Sequence, residues 1–169
     1  SNLKLGSGVA WIPAMKRAGV NIALGTDGVS SNNNHDMFEE MKFAAILHNG
    51  VTHDPLALLP RQVLAMASRD GARAQGREAE CGMLKVGMDA DLILVDFDRP
   101  SLTPCHSVED NLVYSARGSD VVMNMARGKI IYKDGTFFTL DLERIKAEVE
   151  TYALPLLFGD GASLADRRN

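Results

Sequence analysis

Apolar and polar positions follow a helical period over the first part of this chain and an alternating, strand-like period over the second. Trp11, Ile12, Met15 and Ala18 recur at helical spacing, which predicts a short helix entered through Pro13 and stopped by Gly19. Val20–Gly25 is a continuous apolar run bounded by glycines. That pattern predicts a strand buried on both faces over about Asn21–Thr26, closed by Asp27. A helix, a glycine and a strand ending in a polar residue together form one unit of a parallel barrel or open sheet. After the polar turn Ser30–Asn34, the residues Met37, Met41, Ala44, Ala45 and Leu47 mark one face of a helix over Asp36–His48, with Asp36 as its cap. A loop with two prolines leads to a further helix from Arg61 to Gly71, carrying Val63, Leu64 and Ala67 and stopping near Gly76.

From Gly82 the turn-rich stretch up to Asp91 leads into Leu92–Phe97, a strand by its composition. Val121–Ala126 and Lys129–Tyr132 predict two more strands separated by Arg127-Gly128. Asp134-Gly135 predicts a hairpin, because this pair tolerates the positive φ angles of a tight turn. Leu92, Leu94, Val122 and Ile130 are the expected buried residues of this sheet. Leu142–Leu157 closes the pattern as a helix with Ile145, Val149, Tyr152 and Leu156 on one face. The expected organisation is residues 1–76, a β-rich part over 77–140, a helix over 141–158 and a polar tail over 159–169.

With 169 residues, 46% hydrophobic and 24% charged, the composition is that of a globular protein and not a disordered one. The net charge is −4 and the 18 basic residues are scattered, which argues against nucleic acid as a partner. The apolar runs fall far short of the ~20 residues of a membrane helix, so no membrane partner is expected. Ser1–Trp11 lacks the apolar core of a signal peptide. The two cysteines, Cys81 and Cys105, form neither a disulfide framework nor a zinc knuckle, and a cytoplasmic location is expected.

Gly6-Ser7-Gly8 lacks the further glycine or lysine of a phosphate loop and reads as a turn. His35, His48, His53 and His106 form no paired metal-binding spacing. His48 is expected as a favourable group at a helix C-terminus, and His35 is the candidate pocket residue among them. Asp27 stands apart, because carboxylates at the C-terminal end of a parallel strand carry the chemistry of barrel enzymes. The alternative, that Asp27 caps the following helix, rests on equally general grounds.

Leu24-Gly25-Thr26-Asp27-Gly28, followed by Ser30–Asn34 and Met37-Phe38-Glu39-Glu40-Met41, resembles the end of the last barrel strand in the amidohydrolase superfamily. It looks like the branch of 5′-methylthioadenosine/S-adenosylhomocysteine deaminases and related triazine hydrolases. Ser1–Gly8 resembles that branch's loop after the seventh strand. Gly82–Gly87, Ala90–Ile93, Asn111–Ser115 and Val122–Gly128 are similar to its return from barrel to β-sandwich.

The resemblance implies an α/β fold: the C-terminal portion of a TIM-like (β/α)8 metallohydrolase barrel plus part of a β-sandwich domain. It implies a hydrolytic deaminase of a purine nucleoside, with Asp27 both catalytic and a ligand of one divalent metal, expected to be zinc. Ser31, Asn32 and Asn2 are the expected substrate-binding residues of a small-molecule site. The family's remaining metal ligands and its catalytic glutamate have no match in this sequence. The chain alone is therefore expected to be inactive, and to form a homo-oligomer or associate with a missing N-terminal part. The alternatives are a guanine or 8-oxoguanine deaminase, a triazine chlorohydrolase, or a folded piece without activity.

Overall fold

The structure, a computed structural model, describes residues 1–159. Helix α1 (Ile12–Arg17) carries Pro13 in its first turn, where no intrahelical amide bond is forfeited, and Gly19 turns left-handed just beyond its end, at φ +76°. The expected strand over Asn21–Thr26 does not form. Residues 20–28 carry no regular structure, and Leu24 N to Met66 O at 3.0 Å is the one main-chain amide bond donated between Asn21 and Thr26. An apolar run becomes a strand only against a neighbour that shares its hydrogen bonds, and among the described residues none lies beside it.

A short helix α2 (Val29–Asn32) follows, and then α3 (Met37–Thr52), which Asp36 caps by accepting a bond from Phe38 N at 2.9 Å. Helix α3 continues past the expected end at His48 until His53 adopts φ 54°. The helix expected from Arg61 to Gly71 is broken into α4 (Pro60–Ala67) and α5 (Arg69–Ala74). Ser68 stands at the break with φ −127° and ψ −93°, and its hydroxyl donates to Leu64 O at 2.7 Å, a back-bond that bends helices.

Strands β1 (Leu92–Val95), β2 (Val121–Ala126), β3 (Lys129–Lys133) and β4 (Thr136–Phe137) form one antiparallel sheet in sequence order. Both hairpin turns use pairs of positive φ: Arg127 and Gly128 at 47° and 75°, Asp134 and Gly135 at 47° and 85°. Asp91 fixes the first turn by accepting from Arg127 N at 2.7 Å. Gly82 approaches α5 so closely that a Cβ there would lie 2.7 Å from the Ala72 Cβ.

The sheet's expected interior needs correction. Leu94 is 50% exposed, Ile130 is 36% exposed, and Leu92 and Val122 are only half-buried, because no second sheet covers them among the described residues. The same holds for the closing helix, which runs as α6 (Leu142–Glu148), a π-turn over Val149–Ala153 and α7 (Leu154–Phe158). Its expected inner face stays open, with Ile145, Tyr152 and Leu156 exposed and Val149 half-buried. Residues 160–169 of the expected tail lie outside the described residues.

The core forms where α1, α3 and α4 meet the segment between β1 and β2. Leu58, Val63, Leu102 and Val113 are fully buried, each worth about 1.5–3 kcal/mol relative to exposure. Val113 lies in a π-turn (Asn111–Ser115) that Asn111 ties down, its Nδ2 donating to Leu102 O at 2.7 Å. Val95, Phe97 and Val121 pack on the same cluster, so the helices and the root of the sheet share one core.

Candidate active site

Three segments surround a cavity of about 460 Å³, a size suited to a small molecule: the turns of residues 1–10, the segment from Ile22 to Asn34, and one side of α3. The first turns are held by Ser7 N to Asn2 O at 2.9 Å and Leu5 N to Ser1 O at 3.1 Å, with Gly6 and Gly8 left-handed at φ 70° and 82°. The turn spans residues 2–6, so Gly6 lies in it while Ser7 and Gly8 follow it. It is strapped to the second segment by the Ser1 hydroxyl, 3.1 Å from Thr26 O, and by the Lys4 ammonium, 3.2 Å from Ser30 O and 2.5 Å from Asn33 Oδ1.

Asp27 lines the cavity and is exposed. Its backbone is left-handed at φ 65°, a conformation that costs a non-glycine residue about 1 kcal/mol or more and that structures retain where geometry matters more than comfort. Its Oδ1 accepts from Gly28 N at 2.7 Å. The helix-cap reading of Asp27 is set aside by the caps themselves: Gly28 occupies the cap of α2, and Asp36 that of α3.

Asn2, Ser31 and Asn32 line the same cavity, so the four residues singled out in the sequence converge. Asn32 is already engaged inside the protein, its Nδ2 donating to Glu40 Oε1 at 2.7 Å and its Oδ1 accepting from His35 N at 2.6 Å. It shapes the rim, while Asn2 and Ser31 have no side-chain bond among the described residues and keep their polar groups available. His35 lies outside the cavity lining, on an exposed left-handed corner at φ 53°.

Lys4, Glu40 and His48 were not expected in the cavity. His48 is not a helix-end group: it lies within α3, only 7% exposed, and burial holds its pKa below the ordinary 6.5, so it is neutral at pH 7. The spacing Glu40, Ala44, His48 was the available sign, since residues four apart share one helix face. Asp27, Glu39 and Glu40 outnumber the Lys4 ammonium, which makes the lining acidic. Among the described residues no three His, Cys, Asp or Glu side chains are grouped to hold a metal ion. A catalytic zinc usually takes three protein ligands, so these residues do not fit a metal centre by themselves.

The amidohydrolase family model matches residues 1–131, and the chain belongs to that family. It is 54% identical over 149 residues to a 5-methylthioadenosine/S-adenosylhomocysteine deaminase of Moorella thermoacetica, covering 88% of this chain and 35% of that protein. It is 51% identical over 157 residues to a 5′-deoxyadenosine deaminase of Methanosarcina mazei, covering 93% and 36%. An adenosine deaminase of Xanthomonas campestris with bound zinc superposes with a TM-score of 0.84 at 39% identity, covering 87% of this chain and 34% of that one. A zinc complex of atrazine chlorohydrolase from Arthrobacter aurescens superposes at 0.80 with 27% identity, covering 87% and 33%. The chain thus spans about a third of the length of the relatives it matches.

Proposed function

We propose that this chain supplies Asp27 and the Ser30–Asn34 rim to a hydrolytic deaminase of adenosine-type nucleosides, of the 5′-methylthioadenosine or S-adenosylhomocysteine kind. Water adds to the amine-bearing ring carbon, the C–N bond breaks, and ammonia leaves as the ring keeps the oxygen. Asp27 takes a proton from the attacking water and returns it to the departing amine, the work of a general base and acid. Asn2 and Ser31 hydrogen-bond the nucleoside at the rim, and Asn32 holds the turn that carries Ser31. The observation that carries this reading is a strained, exposed Asp27 sharing one cavity with Asn2 and Ser31. The deaminase names of its relatives support the substrate class.

A zinc ion of the kind its solved neighbours carry would supply an activated water. Asp27 is the single ligand we assign to it among the described residues. In the same reading residues 1–76 are the last strand and flanking helices of a β/α barrel, and 77–140 contribute to a β-sandwich closed by the helix over 141–158. The test is a chimera in which this chain replaces the matching segment of the Moorella thermoacetica deaminase. Ammonia release from methylthioadenosine, S-adenosylhomocysteine and 5′-deoxyadenosine is expected. Turnover confined to guanine, 8-oxoguanine or a chlorotriazine contradicts the proposal.

A further inference from the structure

The run Asn32-Asn33-Asn34 follows the rim residue Ser31, and each of its side chains is held by a charged group from another segment. Asn33 Oδ1 accepts from the Lys4 ammonium at 2.5 Å, Asn34 Nδ2 donates to Glu39 Oε2, and Asn32 Nδ2 donates to Glu40 Oε1 at 2.7 Å. The first two pairs are exposed, whereas the Glu40 side chain is only 15% exposed and lines the cavity. A charge-assisted bond is stronger where water competes less, so the Asn32–Glu40 pair is the firmest of the three.

The turn needs such a hold. Asn33 and His35 are both left-handed, at φ 79° and 53°, a backbone that residues with a Cβ adopt against their preference. Asn32 opposes its relaxation with both ends of one amide. Its Oδ1 accepts from His35 N at 2.6 Å inside the turn, and its Nδ2 reaches across to α3. Helix α3 is itself fixed by the Asp36 cap and by Met41, which follows Glu40 and is 4% exposed. Glu40 thus carries the position of a packed helix to the residue next to Ser31.

We propose that Glu40 is a positioning residue: by accepting from Asn32 it holds the rim turn in the strained shape that presents the Ser31 hydroxyl to the nucleoside. It exchanges no proton in the reaction, since its Oε1 is committed to Asn32. The role of Ser31 rests on the deaminase reading, while the clamp itself rests on the hydrogen bonds. The Ser1 terminal ammonium lies 3.7 Å from the same Oε1. In the chimera with the Moorella deaminase it becomes a neutral peptide amide, and Asn32 remains the partner of Glu40.

Exchanging the two groups tests the proposal. Asn32→Asp sets a carboxylate against Glu40. Glu40→Gln keeps an acceptor but loses the charge. Combined, they restore a charge-assisted bond in the opposite sense, the new amide donating to the new carboxylate. With methylthioadenosine and the chimera, Asn32→Asp should raise KM about tenfold, the share of one hydrogen bond, with kcat within about threefold, because a rim contact binds ground and transition state alike. Glu40→Gln should raise KM about threefold by itself, yet bring Asn32→Asp back to within about threefold of the parent when the two are combined. Exchange of the Asn33 amide, bonded to Val29 O at 2.8 Å, follows the turn in the 169-residue chain without reference to activity. It should be fastest in Asn32→Asp and slow again in the double variant. A double variant no better than Asn32→Asp in either readout overturns the proposal, as does a Glu40→Gln chimera that loses kcat at unchanged KM. A parent chimera that releases no ammonia from any nucleoside sinks the deaminase reading instead, and the Asn33 exchange then decides the clamp.

Discussion

The carboxylate of Asp36 joins two distant parts of the chain: its Oδ2 accepts from Gly118 N at 2.9 Å while its Oδ1 accepts from Phe38 N at 2.9 Å. One side chain therefore starts α3 and ties it to the segment that leads into β2. Gly118 permits the approach, since a Cβ there would press within 3.3 Å of Oδ2. Asp36→Ala removes both bonds and is expected to destabilise the chain by about 2 kcal/mol, combining a lost cap with a lost charge-assisted bond. Asp36→Asn keeps an acceptor for Phe38 but turns an amide toward Gly118, and should cost about half as much. Urea unfolding of the three proteins measures the difference.

Gly82 and Gly87 are both left-handed, at φ 89° and 91°, but only Gly82 meets neighbouring atoms. Gly87→Ala should cost about 1 kcal/mol from backbone strain alone. Gly82→Ala adds overpacking against Ala72 and should cost about 3 kcal/mol. Equal midpoints in urea would show that the close approach at Gly82 is not felt.

The features readable in the sequence are those decided within a few residues. The Asp36 cap, the stop at Gly19 and the Asp134-Gly135 turn depend on local backbone chemistry, and each forms as expected. The run at Asn21–Thr26 depends on a partner strand, and with none beside it the pattern alone makes no strand. Leu94, Ile130 and the Tyr152–Leu156 face are apolar for a covering layer that is absent among the described residues, so periodicity overstated their burial. As residues of one cavity, Asp27, Asn2, Ser31 and Asn32 were legible through their resemblance to a known motif. His48 was not, because a helix face becomes a cavity wall only once α3 is packed against the segment around Leu24.

His48 makes stability depend on pH. Its folded pKa is lowered by burial, so the unfolded chain binds the proton more readily. The contribution of a neutral His48 is complete above the unfolded value of 6.5, and it is lost as pH falls from there through the folded pKa. The urea midpoint of the chain should therefore drop between about pH 7 and pH 5. His48→Leu should flatten that part of the profile. An unchanged slope would assign the pH dependence elsewhere.

A single carboxylate does not retain a catalytic zinc against water. After incubation with zinc and dialysis, the 169-residue chain should hold well under one equivalent by elemental analysis and release no ammonia from methylthioadenosine. Stoichiometric zinc in the chain alone would contradict Asp27 as its single ligand among the described residues.

The proton exchange proposed for Asp27 is measured most directly by the kcat for ammonia release from methylthioadenosine by the chimera and its Asp27→Asn variant. Asn keeps the shape of the side chain but cannot accept a proton at neutral pH. The expected result is a fall in kcat of at least about a hundredfold, the usual share of a general base, with zinc content measured alongside so that metal loss is counted separately. An Asp27→Asn chimera with the same kcat as its parent would contradict that role for Asp27.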